Sequence, residues 1–489
     1  MARLSALPLR SPPPIIPGMS SPELAAEAID ERANLATGAR RIDVDALPPL
    51  RSDPSFWGMN ITQFLGAFND NLFKQVVLLL SIAAVKAGGQ EVDPEDDQWL
   101  AMIVFAAPFL MFTGFAGYLS DKFSKRKIII ICKFAEIVIM ALGGLGFYVY
   151  EQSGSLVLPY AVLFLMGAHS AFFGPGKYGI LPEMLRERDL PRANGSMLML
   201  TFLAIIFGTA LAGILLDDGR LYVASACSVV IAMIGTTSSF LVRHVPPANP
   251  NLKFESSALT VPPDMRQMLA ADRPLLAALL VSSIFWLMAG MVPSAVNALG
   301  KIDLQAGDAY TSYMTAMIGV GIALGCVTGG IVSKGQVDFR LLRIGVIGMV
   351  ICLLVVGIPG GGDVVVAKDA AGKVTSLPGF GEGRQWLGYW PSMPVLLALG
   401  MFTGLFAVPL QVFMQSRPPE DKKGRMIAVM NQANWVGVLA SAGIYFVLSR
   451  MVKAADWPRS TLFIAIAVMT LPIAIFYHPK HDRQSPSPP

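Results

Sequence analysis

Charge is scarce in this chain: Asp, Glu, Lys and Arg together make up 15% of its 489 residues. So little charge cannot coat a large soluble domain. With 54% hydrophobic residues and a mean hydropathy of +0.55, the composition is that of a polytopic membrane protein. Cysteine is nearly missing as well. The four present, Cys132, Cys227, Cys326 and Cys352, fall inside apolar runs with no CxxC pair and no histidine at ligand spacing, which points away from a disulfide framework or a metal centre. No nucleophile stands at motif spacing from a base, and there is neither a phosphate loop nor a metal-ligand cluster, so an enzyme is not expected and no cofactor is implied. Basic residues sit in short loops, which gives nucleic-acid binding no support. The early arginines lead into no apolar core, which excludes a cleavable signal peptide.

Long hydrophobic runs are what the chain has instead. A helix needs about 20 apolar residues to cross a bilayer, and twelve such runs lie near 57–86, 99–119, 128–150, 157–176, 193–216, 221–242, 275–299, 309–333, 341–358, 392–416, 426–449 and 460–477. They predict an all-α membrane protein with a disordered cytoplasmic tail at 1–55 and a six-helix bundle at 56–242. A polar, proline-rich cytoplasmic linker at 243–273 then leads to a second bundle at 274–478 and a disordered tail at 479–489. Within the linker the residues around 265–269 form an amphipathic patch, and 359–391 reads as an external loop. With both termini in the cytoplasm, most of the 38 Lys and Arg fall on the cytoplasmic side, as the positive-inside bias requires. Arg450, Lys453 and Arg459, after span eleven, are the exception.

Asp70 stands in the middle of the first span, with Asn69 and Asn71 beside it and Lys74 one turn on. A carboxylate at that depth costs about 2.5–3.5 kcal/mol on insertion scales, so it is expected to face a water-filled cavity or a partner in the bundle, as a carrier requires. The alternative is that Asp70 and Lys74, at i and i+4, neutralise each other. Lys133 and Glu136, three residues apart on span three, read as an intrahelical pair, and His169 on span four is a weaker cargo candidate. Gly321, Gly325 and Gly329 recur at four-residue spacing on span eight and predict close helix packing.

The halves echo each other faintly. FFGP at 172–175 closes span four and FAVP at 406–409 falls late in span ten, each followed by a basic loop and then an Asn, Asn194 or Asn431. GYLSDKFSKRK at 117–127 resembles the loop between spans two and three of the major facilitator superfamily, whose plan is two six-helix repeats around a central site. The resemblance implies a cytoplasmic gate built from Asp121, Lys122, Lys125 and Arg126, with Glu183 as a further gate residue. Asp121 is placed to accept hydrogen bonds from a neighbouring helix start. The second half has Ser333 where the Asp would stand.

QFLGAFNDNLFKQ at 63–75, FGPGKYGILPEML at 173–185 and VPLQVFMQSRPPEDKKGRMIAVMNQANW at 408–435 look like the bacterial lysophospholipid transporter family, a branch of that superfamily. The family moves lysophosphatidylethanolamine and related lysolipids from the outer to the inner leaflet of the cytoplasmic membrane, where an acyltransferase-synthetase restores the acyl chain. The resemblance therefore implies membrane lipids as surroundings and a separate acyltransferase/acyl-ACP synthetase as a partner. Such a cargo suits Asp70, Asn69 and Asn71 against an ammonium, and Lys177, Lys74 or Lys133 against the phosphate. Tyr178 would anchor at the interface, and Gln415, Asn431 and Asn434 would meet glycerol or phosphate. Span seven lacks the basic residue some relatives carry, having only Pro293 and Asn297. Two other readings are a proton-coupled antiporter of amphipathic drugs or metabolites, with Asp70 as proton carrier, and a scaffold that recruits an acyltransferase without carrying lipid.

Overall fold

The computed structural model describes residues 47–82, 96–186, 189–247, 250–252, 263–333, 338–362, 374, 376–418 and 423–477. Twelve long helices account for nearly all of them. In the first half they are α1 (Pro54–Leu80), α2 (Gln98–Lys122), α3 (Lys125–Ser153), α4 (Val157–Gly179), α5 (Leu190–Asp217) and α6 (Leu221–Ser239). The second half supplies α7 (Arg273–Ala298), α8 (Gly307–Ser333), α9 (Phe339–Gly357), α10 (Tyr389–Ser416), α11 (Lys423–Ala454) and α12 (Thr461–Phe476). Ten of the twelve are long and apolar enough to cross a membrane. α1 is kept out of that set by the polar residues it carries, and α12 by its 16-residue length.

Local chemistry sets the helix starts. Asp53 accepts from the backbone N–H groups of Ser55 and Phe56 while Pro54 opens α1, so the helix begins earlier than the apolar run predicts. Asp272 caps α7 and Asp338 caps α9 in the same way. Gly154, at φ 69°, ends α3 in the left-handed conformation that a glycine adopts without strain. The expected amphipathic patch in the linker is a short helix, Pro263–Ala271, that buries Met265 and Leu269. The tails at 1–46 and 478–489 lie outside the described residues.

The packing repeats with a period of six helices. α1 packs on α5 and α6, as α7 does on α11 and α12; α2 packs on α4, as α8 does on α10; α3 packs on α4 and α6, as α9 does on α10 and α12. The joints between the halves obey the same rule, α5 lying on α8 and α2 on α11. The small-residue stripe of α8 makes the closest approach. A Cβ added at Gly321 would stand 2.0 Å from the Leu397 carbonyl oxygen, and one at Gly325 2.1 Å from that of Met401, so α8 and α10 touch backbone to backbone.

The two ends of the bundle are tied differently. At the end bearing Asp121 three ion pairs among the described residues lie within a half: Asp53 with Arg243, Lys125 with Glu183, Arg417 with Asp272. At the end bearing Asp96 the halves are joined. Gln98 donates to the Ser294 carbonyl at 2.9 Å and accepts from Asn297 at 2.9 Å, and Asn297 accepts from Gln75 at 3.0 Å. Tyr445 donates to Asp96 at 2.5 Å, Arg450 lies 3.5 Å from Asp97, and Trp99 packs on Phe446. The three basic residues that break the charge rule after span eleven thus gather beside Asp96 of the other half.

Candidate substrate site

α1, α3 and α4 enclose a cavity of about 140 Å³ in the first half. Its walls are Gln63, Gly66, Ala67 and Asp70 from α1, Lys133 and Glu136 from α3, and His169, Ser170, Phe173, Gly174, Lys177 and Tyr178 from α4. Four charged side chains line it, and two of them cancel. Lys133 and Glu136, both fully buried, form the intrahelical pair expected from their spacing. Glu136 is held further by Asn69, whose amide donates to it at 3.0 Å and to the Ser228 carbonyl at 3.0 Å.

Asp70 and Lys177 are left. The Ser170 hydroxyl donates to Asp70 Oδ2 at 2.6 Å, while Asp70 Oδ1 is buried with no hydrogen-bond partner. The alternative pairing with Lys74 is not made. Lys74 turns away, donating to Asn71 at 3.1 Å and lying 5.2 Å from the centre of the Phe105 ring. Lys177, 9% exposed, donates to Thr201 at 3.4 Å and lies 5.0 Å from the Tyr178 ring centre. Among the described residues no carboxylate stands within ion-pair distance of it. Seven residues of α4 separate Ser170 from Lys177, a rise of about 10 Å at 1.5 Å per residue. The cavity therefore carries a negative group and a positive group two turns apart.

The other expected contacts fall elsewhere. Asn69 faces Glu136 and α6, away from Asp70's side of α1, and Asn71 donates to the Ala67 carbonyl of its own helix at 2.8 Å. Asn434 accepts from Ser282 at 2.9 Å, joining α11 to α7, and Asn431 is exposed. The Gln415 side chain lies outside the described residues. Among the gate residues, Glu183 pairs with Lys125 at 2.5 Å, Lys122 donates to the Tyr118 hydroxyl at 2.8 Å, and Arg126 donates to the Phe240 carbonyl at 3.0 Å. Asp121 stays exposed, with Lys125 at 4.0 Å in place of the expected helix-start N–H groups. Gln63 and Ser170, unremarked in the sequence, line the cavity, and His169 gains weight there. The signal that would have found them is that polar side chains within spans are rare and need a reason.

The sequence pattern of the Major Facilitator Superfamily matches residues 59–442. The chain belongs to that superfamily. Curated relatives within it include the lysophospholipid transporter LplT of Klebsiella pneumoniae, 27% identical over 398 residues that cover 78% of this chain and 86% of the relative. LplT of Salmonella gallinarum is 26% identical over 417 residues, covering 81% and 90%. Solved facilitators share the fold at lower identity. An auto-inhibited peptide transporter of the POT family superposes with a TM-score of 0.64 at 14% identity, covering 88% of this chain and 99% of that one. The nucleoside transporter NupG superposes with a TM-score of 0.61 at 11% identity, covering 86% and 98%. This facilitator is thus a multi-pass membrane protein of twelve helices in two six-helix bundles, and its relatives are transporters.

Proposed function

We propose that the protein carries lysophospholipids, lysophosphatidylethanolamine foremost, from the outer to the inner leaflet of a bacterial cytoplasmic membrane by alternating access. The observation that carries this reading is a pair of opposite charges, Asp70 and Lys177, that line one small cavity with no ion-pair partner among the described residues. A zwitterionic headgroup has the same two charges. Its amine meets Asp70 and its phosphate meets Lys177, whose four-methylene stem spans much of the distance between the two levels. A volume of about 140 Å³ holds a headgroup and no acyl chain, so the tail stays in lipid and the cargo enters sideways. Tyr178, 55% exposed, marks where headgroup and tail part. With both termini cytoplasmic, the Asp96 end faces outward and is shut, and the headgroup site is reached from inside.

Flipping of labelled lysophosphatidylethanolamine in proteoliposomes without an ion gradient tests this. Wild type should move the lipid, and Asp70→Asn and Lys177→Ala should abolish movement while the protein stays folded. Movement by both variants at the wild-type rate would overturn the headgroup site. The orphan oxygen of Asp70 also favours a second reading, a proton-coupled carrier of amphipathic cations. It gains if transport requires a proton gradient.

A further inference from the structure

His169 lines the cavity with its imidazole lone pair unused. It is 7% exposed, and neither ring nitrogen has a side-chain partner at hydrogen-bond distance, the Cys132 carbonyl being the one group placed to draw its N–H. Whatever its tautomer, a neutral imidazole carries one N–H donor and one lone-pair acceptor, so with the donor turned to Cys132 the ring still brings an unused lone pair to the wall. Leaving such a group buried and unpaired is destabilising.

The obvious structural partner does not engage the ring. Glu136 Oε2 lies 3.7 Å from His169 Nε2, beyond hydrogen-bond range. Both Glu136 oxygens are already engaged, Oε2 with Lys133 and Oε1 with Asn69. Phe173 lies nearly parallel to the imidazole, 18° off at 6.1 Å between centres, and offers it no polar atom. The next residue in the chain, Ser170, bonds Asp70, so the unmet imidazole lone pair and the unmet Asp70 Oδ1 open onto one cavity from adjoining positions.

We propose that His169 is a direct headgroup ligand that reads N–H bonds on the cargo's ammonium. This rests on the lysophospholipid reading above and deepens it. A primary ammonium has three N–H bonds to give. Asp70 Oδ1 takes one with its charge, and the lone pair of the His169 imidazole takes another. The Ser170 oxygen, already donating to Asp70, keeps lone pairs for the third. Each N-methylation deletes one donor and leaves the charge, so the site distinguishes headgroups that Asp70 alone, acting through charge, would treat alike. His169 thus selects by hydrogen-bond count, and Asp70 supplies the attraction common to the whole series.

The test is equilibrium binding to the full-length protein in nanodiscs, at pH 7.5, of lysophosphatidylethanolamine and its mono-, di- and trimethylated forms with one acyl chain. Wild type should weaken at each methylation. His169→Leu keeps the bulk and the Lys133–Glu136 pair but removes the ring's polar atoms, and should shrink the ratio between trimethylated and unmethylated affinities by about tenfold, the worth of one hydrogen bond to a charged group. His169→Gln, which keeps a donor and an acceptor, should restore part of it. A methylation profile in His169→Leu that equals wild type would overturn the proposal and leave the imidazole as a structural neighbour of Glu136. So would a uniform loss for all four lipids in both variants. If wild type binds none of the four, the lysolipid reading itself fails and this inference with it, whereas binding with an unchanged profile refutes His169 alone.

Discussion

Around Gln98 and around Asp70 the bundle buries polar side chains, and it treats the two groups in opposite ways. At Gln98 the side chains come from both halves and satisfy one another: Gln98, Asn297, Gln75 and Tyr445 exchange hydrogen bonds across the interface, and Thr315 adds one more to Asn297 at 3.2 Å. At Asp70 the side chains come from one half, and a carboxylate oxygen and an imidazole lone pair go without. Buried amides with partners hold helices together; a buried ionisable group without them calls for an explanation other than packing. The first cluster reads as a closure and the second as a site, a distinction that burial alone does not make.

The comparison breaks most sharply at Asp70. Asp70→Asn keeps the shape of the site and removes the charge, and lysolipid flipping should fall by about a hundredfold or more, the scale expected when one member of a desolvated charge pair is lost. Thermal stability should hold, since no protein cation depends on that carboxylate. Glu136→Gln reverses the pattern. It strands Lys133 as a buried lone cation at a cost of about 3–5 kcal/mol, so the melting temperature should drop before any specific loss of transport appears; an unchanged melting temperature would remove Glu136 from the scaffold. Asn297→Leu acts at the closure, leaving Gln98 Oε1 without its donor and Gln75 with only Ser312 at 3.4 Å, at a cost of about 1–3 kcal/mol. Distances between spin labels on α2 and α11 should then show the Asp96 end opening in a larger share of molecules. The smallest effect concerns pH. Burial raises the Asp96 carboxyl above its ordinary value, against the lowering pull of Tyr445, Gln98 and Arg459. The closed state therefore holds that proton more tightly than a solvated open one, and closure should strengthen as pH falls through the raised value. Arg450 and Lys453 face the same pocket. Asp96→Asn should flatten the dependence of the spin-label distances on pH, and an undiminished slope would assign it to another group.

Much of the fold was legible in the sequence because its cause is local. Runs of about 20 apolar residues make spans, Asp53 with Pro54 makes a helix start, and Lys133 three residues before Glu136 makes a pair whatever surrounds it. The glycine stripe of α8 also shows its packing role, because only small residues admit a backbone so near. What sequence could not show depends on neighbours from other helices. Asn69 and Asp70 are adjacent, yet about 100° of helical turn points one at Glu136 and the other at the cavity. Asn434 looks like a cargo contact until Ser282 is found beside it. Lys74 looks like the partner of Asp70 until Phe105 and Asn71 draw it away. His169 gained its interest only from the absence of a side-chain hydrogen bond, a property of three packed helices together.

The seam between α8 and α10 bears on how such a machine moves. With carbonyl oxygens of Leu397 and Met401 lying where side chains of Gly321 and Gly325 would have been, the two helices have no layer of side chains in which to slip. They form a single slab. On its other flank α8 meets α5 through Gly319 against the Ile206 side chain and through Gly213 against Ser312 and the Asp308 carbonyl oxygen. Any motion that keeps this seam intact carries α8 and α10 together, as one lever arm with a rigid plank's reach from end to end of the bundle.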